Sequence, residues 1–290
     1  MMKKALIKKL TSLMAQDGLD AVLVCPSEEL VYLIGFTPMM CKRFQGLFIK
    51  SDGDFFYVCN LLYLGELENA LPDIRAFTWF DGDDMAGTVK EILESEGLLG
   101  KKIGVNCAAP AFSVLDIAEK TGIRFVNAKH LLEEMRIIKT DEELENLRIS
   151  ASITDMVFSD VIKFVKPGMR EGEVKGFLFS EMSKRGAIKP WALVASGPNS
   201  SFPHYMGEER VIEAQDVVLL DLGVRIMICV RICPVWFLSA VLRMSRGMYT
   251  RFAENRQKLG RRLVLRGRLY PILIRLRGIL SVMPGMASIS

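Results

Sequence analysis

Short apolar runs and amphipathic runs alternate through the first 130 residues, with glycine at their ends, and this alternation limits the fold more than any other feature. Residues 3–16 carry helical spacing and stop at Asp17-Gly18. Ala21–Cys25 (AVLVC) reads as a short buried strand, and Glu29–Ile34 as a helical turn closed by Gly35. Gly46–Lys50 and Phe55–Cys59 flank Ser51-Asp52-Gly53-Asp54, a hairpin signal. A helix over Leu61–Ala70, a strand over Arg75–Phe80 and a helix over Met85–Glu96 follow. A strand over Lys102–Val105, a helix over Pro110–Thr121 and a strand over Arg124–Asn127 complete the series. Strand–helix alternation of this kind predicts an α/β layer domain over residues 1–130.

The pattern then changes. Thr140-x-x-Glu143 is a capping box. Behind it an apolar stripe through Leu144, Leu147, Ile149, Ile153, Met156 and Val157 predicts a long helix that ends at Pro167-Gly168. Glu171–Arg185 reads as a second amphipathic helix, and Ala192–Ala195 and Val217–Leu220 as strands joined by the loop Ser196–Arg210. Two helices followed by strands predict the opening of an α+β domain over residues 131–224. The second strand delivers Asp221 at its end. Taken alone, such an Asp serves as often to cap a helix or form a turn as to reach a site.

From Arg225 the regularity decays, and residues 225–290 are expected to be irregular. They hold twelve Arg and Lys258 against Glu254 alone, a net +12. Residues 1–224 carry −8, and the two parts add to the chain's +4. A basic tail of this kind can bind nucleic acid or another acidic surface. The arginines, however, show neither a helical face nor interleaved aromatics. Cys25, Cys41, Cys59, Cys107, Cys229 and Cys233 follow no disulfide framework, which suits a reducing compartment. Cys229 and Cys233 have no partners at zinc-site spacing. The lysine-bearing N-terminus lacks a continuous apolar core of the signal-peptide type. The nearest approach to a membrane span, residues 226–242, is short and interrupted by Arg231 and Pro234. A cytoplasmic chain without a membrane partner is expected.

Four ordered motifs carry a family resemblance: M-R-I-I-K-T-D-E-E-L-E-N-L-R (135–148), V-K-P-G-M-R-E-G-E-V (165–174), V-A-S-G-P-N-S-S-F-P-H-Y (194–205) and D-V-V-L-L-D-L-G (216–223). Together they closely resemble the Xaa-Pro peptidases, the group of prolidase, aminopeptidase P and creatinase. S-E-E-L-V-Y-L-I-G-F (27–36) is similar to that group's non-catalytic N-terminal domain. The resemblance covers residues 1–224. It implies an α/β creatinase/prolidase-like domain followed by the first half of an α+β pita-bread domain. It also implies proline-containing peptide substrates, a homodimer and no nucleic-acid partner. Such enzymes resemble one another in using two Asp, one His and two Glu to hold two divalent ions. Hard oxygen ligands with one imidazole suit Mn²⁺, Co²⁺ or Zn²⁺. The ions activate a water that cleaves the bond N-terminal to proline. By resemblance Asp221 is the first metal Asp, and His204 matches the substrate-binding histidine. His130 matches no site motif and is expected at the surface or a domain junction.

The second metal Asp is expected eleven residues after Asp221, where this chain has Ile232, and the metal His and both Glu are missing downstream. The genetic code offers a reason. Met227 ends in G and every Ile codon begins with AT, so the triplet overlapping Met227 and Ile228 is GAT, which encodes Asp. One consistent shifted reading of residues 226–240 is Y-N-D-M-C-S-D-M-S-R-M-V-F-I-G, with an Asp at position 232. Near the end, Met283 with Pro284 forces an Ala codon and Met286 with Ala287 a Gly codon, within a possible A-G-Y-G-E-Y-F. Both strings resemble the family. The expectation is therefore a truncated, frameshifted member that lacks four of five metal ligands and is catalytically inactive. The competing expectation is a non-catalytic interaction protein whose basic tail binds acidic surfaces.

Overall fold

A computed structural model of the protein describes residues 4–227 and 232–243. The described residues divide into two compact units, the first built on 4–148 with 226–227 and 232–233, and the second on 149–225 with 234–243.

The first unit is a six-stranded sheet covered on both faces. Its strands are β1 (Ala21–Val24), β2 (Gly46–Lys50), β3 (Phe55–Asn60), β4 (Ala76–Trp79), β5 (Lys102–Val105) and β6 (Arg124–Asn127). They lie in the order β4-β3-β2-β1-β5-β6. β2 is antiparallel to β1 and to β3, and the remaining neighbours are parallel. Because both faces are buried, the strands are nearly all apolar rather than alternating. Val22, Val24, Leu47, Ile49 and Tyr57 face one core. It is closed by Leu10 and Met14 of α1 (Lys4–Asp17), Leu30 and Ile34 of α2 (Glu28–Ile34), Leu67 of α3 (Leu64–Ala70) and Leu131, Leu132 and Met135 of α6 (Lys129–Ile137). Leu23, Phe48, Phe56, Val58 and Ile103 face the other core, under Val89 and Leu93 of α4 (Met85–Ser95) and Ile117 of α5 (Ala111–Thr121). Phe48 and Phe56 are directly paired across β2 and β3 with rings stacked at 5.0 Å, a contact worth about 0.5–1.5 kcal/mol beyond its buried area. Gly104 is required by close approach, since a Cβ there would lie 2.6 Å from that of Ala128.

The connections after β1 and β5, which are adjacent and parallel, leave for opposite faces, to α2 and α5. In open α/β sheets such a switch point forms a ligand crevice. Here Asn106 fills it. Its side chain accepts from Cys25 N at 3.0 Å and donates to Cys25 O at 3.2 Å and to Ser27 Oγ at 2.9 Å.

The second unit holds most of α7 (Asp141–Phe164), with α8 (Glu171–Lys184) and the sheet β7 (Ile188–Ser196), β8 (Val217–Met227) and β9 (Ile232–Arg243), in that order. α8 packs against β7, burying Val174, Leu178 and Met182. Three findings depart from the expectations above. The buried face of α7 runs through Glu143, Asn146, Ser150, Ile153, Thr154, Val157 and Val161, whereas Met156 is exposed. Its polar members are largely satisfied locally: Thr154 donates to Ser150 O, and Glu143 accepts from Thr140 N. Second, β8 does not stop at Leu220 but continues to Met227, paired antiparallel with β7 as far as Ile188–Arg225. Third, Ile232–Arg243 of the stretch expected to be irregular is a strand. Its apolar, β-branched and aromatic content (ICPVWFLSAVLR) favours extended backbone. Residues 228–231 and 244–290 of that tail lie outside the described residues.

Candidate functional site

β8 alternates. Val218, Leu220, Leu222, Val224 and Ile226 are buried, and Asp221 belongs to the opposite, half-buried set with Leu219 and Arg225. Asp221 therefore lies within a strand, opposite Leu193 of β7, and not at a strand end. Pleating alone aims its carboxylate away from the core side of β8. Ile232, the position expected for a second metal Asp, opens β9.

The loop between β7 and β8 is tied to the start of α8 by a polar network. Its backbone runs beside that helix start, with Gly168 N donating to Ile212 O, Glu171 N to Arg210 O and Gly172 N to Glu208 O. Glu171 is 1% exposed. Its carboxylate accepts from Ser196 N at 2.6 Å, Ser196 Oγ at 2.8 Å and Asn199 Nδ2 at 3.2 Å. Asn199 Nδ2 also donates to the Tyr205 hydroxyl at 2.8 Å. Arg210 donates to Ser196 Oγ at 2.8 Å and forms a two-pronged pair with buried Asp216, which also accepts from Glu213 N at 2.7 Å. Gly197, at φ +50°, has no alternative: a Cβ there would meet the Asp216 carboxylate and the Arg210 guanidinium.

The electrostatics follow from this arrangement. Burial by itself would raise the Asp216 carboxyl, but the Arg210 guanidinium and the Glu213 amide outweigh it and hold the group below the usual carboxylate range. Arg210 is raised in return by Asp216. Burial first, and the neighbouring Glu171 second, push the Tyr205 phenol up. Burial likewise pushes the Cys25 thiol up to about 12 and, with Glu68, the Cys59 thiol up to about 11, so neither is a nucleophile near neutral pH.

His204 sits at the exposed side of the loop with φ +57°, in the left-handed region that a non-glycine residue seldom occupies. His130 is far from this chemistry in sequence and exposed, with Nε2 2.6 Å from Asp17 Oδ2 in the first unit. Among the described residues no group of three or more His, Cys, Asp or Glu converges to hold a metal ion. Asp221 alone does not fit a dinuclear centre, which needs several ligands at once. Sequence reasoning singled out His204 and Asp221. It did not single out Glu171, Ser196, Asn199, Arg210 or Asp216, although all but Arg210 lie inside the quoted motifs.

Residues 7–138 match the Creatinase/Prolidase N-terminal domain, and residues 145–259 match Metallopeptidase family M24. The chain belongs to the Xaa-Pro peptidase family. Members of M24 use divalent metal ions. Among Xaa-Pro peptidase relatives, the Xaa-Pro dipeptidase of Pyrococcus furiosus is 29% identical over 226 residues, 76% of this chain and 60% of that protein. The probable dipeptidase PepE of Mycobacterium tuberculosis is 28% identical over 213 residues, 72% of this chain and 56% of that protein. A dipeptidase structure from Pyrococcus horikoshii superposes with a TM-score of 0.65 at 28% identity, covering 76% of this chain and 62% of that one. The PepE structure from Mycobacterium ulcerans, at 24% identity, shows the shared fold with a TM-score of 0.71 over 88% of this chain and 67% of that one. The chain thus spans about three fifths of the length of the curated relatives it matches. No helix among the described residues is long and apolar enough to cross a membrane.

Proposed function

We propose that this chain is a catalytically inactive Xaa-Pro peptidase homologue. It carries the substrate-binding histidine, His204, and one metal carboxylate, Asp221, and residues 225–290 are translated out of frame. The single observation that carries the reading is Ile232, which stands eleven residues after Asp221 where the second metal Asp is needed. The sec-butyl side chain of Ile232 has no lone pair to donate to Mn²⁺, Co²⁺ or Zn²⁺. No hydrolytic step is therefore assigned to this chain. The parent protein would act on proline-containing peptides as a cytoplasmic homodimer. The matches to curated relatives are 213 to 226 residues long, close to the 224 that precede the change in composition, whereas the match to family M24 runs on to residue 259.

The test is an assay of the purified chain with Xaa-Pro dipeptides and longer Xaa-Pro peptides, each with Mn²⁺, Co²⁺ or Zn²⁺. No proline or N-terminal residue should be released above the metal-only blank. Metal-dependent release that Asp221→Asn abolishes would sink the proposal. Sequencing the coding DNA from codon 215 onward settles the tail: the preceding frame should stay open and encode a His and two Glu in family order. A closed frame would make 225–290 the genuine tail. Its +12 charge then favours the second reading, a non-catalytic interaction protein, whose binding to acidic surfaces should weaken as salt rises.

A further inference from the structure

The loop Ser196–Arg210 has two legs, and both end on one carboxylate. On the outgoing leg, Ser196 gives Glu171 its amide and its hydroxyl, and Asn199 gives its side-chain amide. On the return leg, Tyr205 is held by Asn199 and lies beside Glu171, while Arg210 reaches Glu171 through Ser196 Oγ. His204 immediately precedes Tyr205, and its left-handed backbone persists only where surrounding contacts over-determine it. Those contacts converge on a side chain that is 1% exposed and belongs to another element, the first turn of α8.

We infer that Glu171 is a positioning residue: it fixes the loop so that His204 is presented in the left-handed conformation. This rests on the proposed reading of His204 as the substrate-binding histidine. A neutral amide at 171 keeps the shape of the carboxylate but offers one acceptor oxygen in place of two, and its NH₂ faces donors. Ser196, Asn199 and Tyr205 then compete for too few lone pairs, and the legs separate.

The experiment uses the full chain, which has two histidines, so each gives its own imidazole carbon-bound proton resonance; His130→Asn assigns them. Glu171→Gln should shift or broaden the His204 resonance and leave that of His130 in place. Chymotrypsin cleavage after Tyr205 should rise about tenfold, as loss of one charge-assisted hydrogen bond implies. An unmoved His204 resonance in a folded Glu171→Gln protein overturns the inference. Should that variant not fold, Asn199→Ala cuts the tie to Tyr205 while leaving the Ser196 pair, and it must move His204 alone; an unmoved resonance there is equally fatal. Glycyl-proline titrated into the unmodified chain separates the two claims. If the dipeptide leaves His204 unmoved while Glu171→Gln moves it, the substrate reading fails and the positioning role stands.

Discussion

Asp216 is nearly buried, yet it is charged in the folded protein because Arg210 supplies two donors and Glu213 a third. Its folded pKa is lower than its unfolded one. A depressed carboxyl pKa contributes stability that is fully present above the unfolded value, about 4, and is lost as pH falls through the folded value. Asp216→Asn should therefore lower the stability of the second unit by about 1–3 kcal/mol at pH 7, the cost of leaving a charged donor short of its acceptor. The difference between variant and parent should shrink below pH 4, followed by urea midpoints at each pH. A difference that is the same at pH 7 and pH 3 would contradict the assignment. At this scale the sequence exposes residues that face outward in recognisable strings, such as His204 and Asp221. It hides those whose role is set by burial. E-G-E-V at 171–174 looks like a solvated helix start, and nothing local says that Glu171 is enclosed while Glu173 is not.

Elements of the first unit were legible because each strand is bounded by glycine or a cap and each helix keeps one apolar face. α1 buries Ile7, Leu10, Leu13 and Met14, spaced as a helix requires. Boundaries failed where tertiary pairing extends an element past its own signals. β8 runs on through Gly223 and Arg225 because β7 offers partners at Trp191 and Ile188. α7 misled for the opposite reason: its buried face carries Asn146, Ser150 and Thr154, which hydropathy counts as exposed. Asn106 is another polar residue doing a core residue's task, since it links the ends of β1 and β5. Asn106→Ala would strand the buried Cys25 N, at a cost of about 1–3 kcal/mol, while Cys25 O keeps its bond from Ser27 Oγ. The urea midpoint of the first unit should fall accordingly, whereas Lys90→Ala, at an exposed position on α4, should stay within about 0.5 kcal/mol of the parent. Equal effects of the two substitutions would show that the Asn106 bridge carries no special weight.

At the scale of the whole molecule, the two units differ in how self-contained they are. Every residue of both cores of the first unit lies between Ile7 and Met135, and all six strands of its sheet lie between Ala21 and Asn127. Among the described residues, later chain joins this unit only at 226–227 and 232–233, which add no strand to its sheet and no member to either core. A unit with its own core and completed sheet is able to fold alone. The fragment 1–148 should therefore unfold in urea in one cooperative step. Trp79 makes this measurable. It is the single tryptophan of the fragment, it is 9% exposed, and its indole N–H donates to Phe44 O at 2.9 Å. Its fluorescence should start at the wavelength of a buried indole and shift red in a single transition. The slope should be about 1–3 kcal/mol per molar urea, as expected for a domain of this size. The Trp79 transition should have the same midpoint in the full chain once Trp191 and Trp236 are replaced by Phe. A fragment with exposed Trp79 fluorescence in buffer, or one that loses signal without a transition, would mean that residues after 148 supply stability that the contacts within the first unit do not reveal. Retention of the transition would show that the first unit draws no stability from residues after 148, which include Asp221, His204 and the Glu171 network.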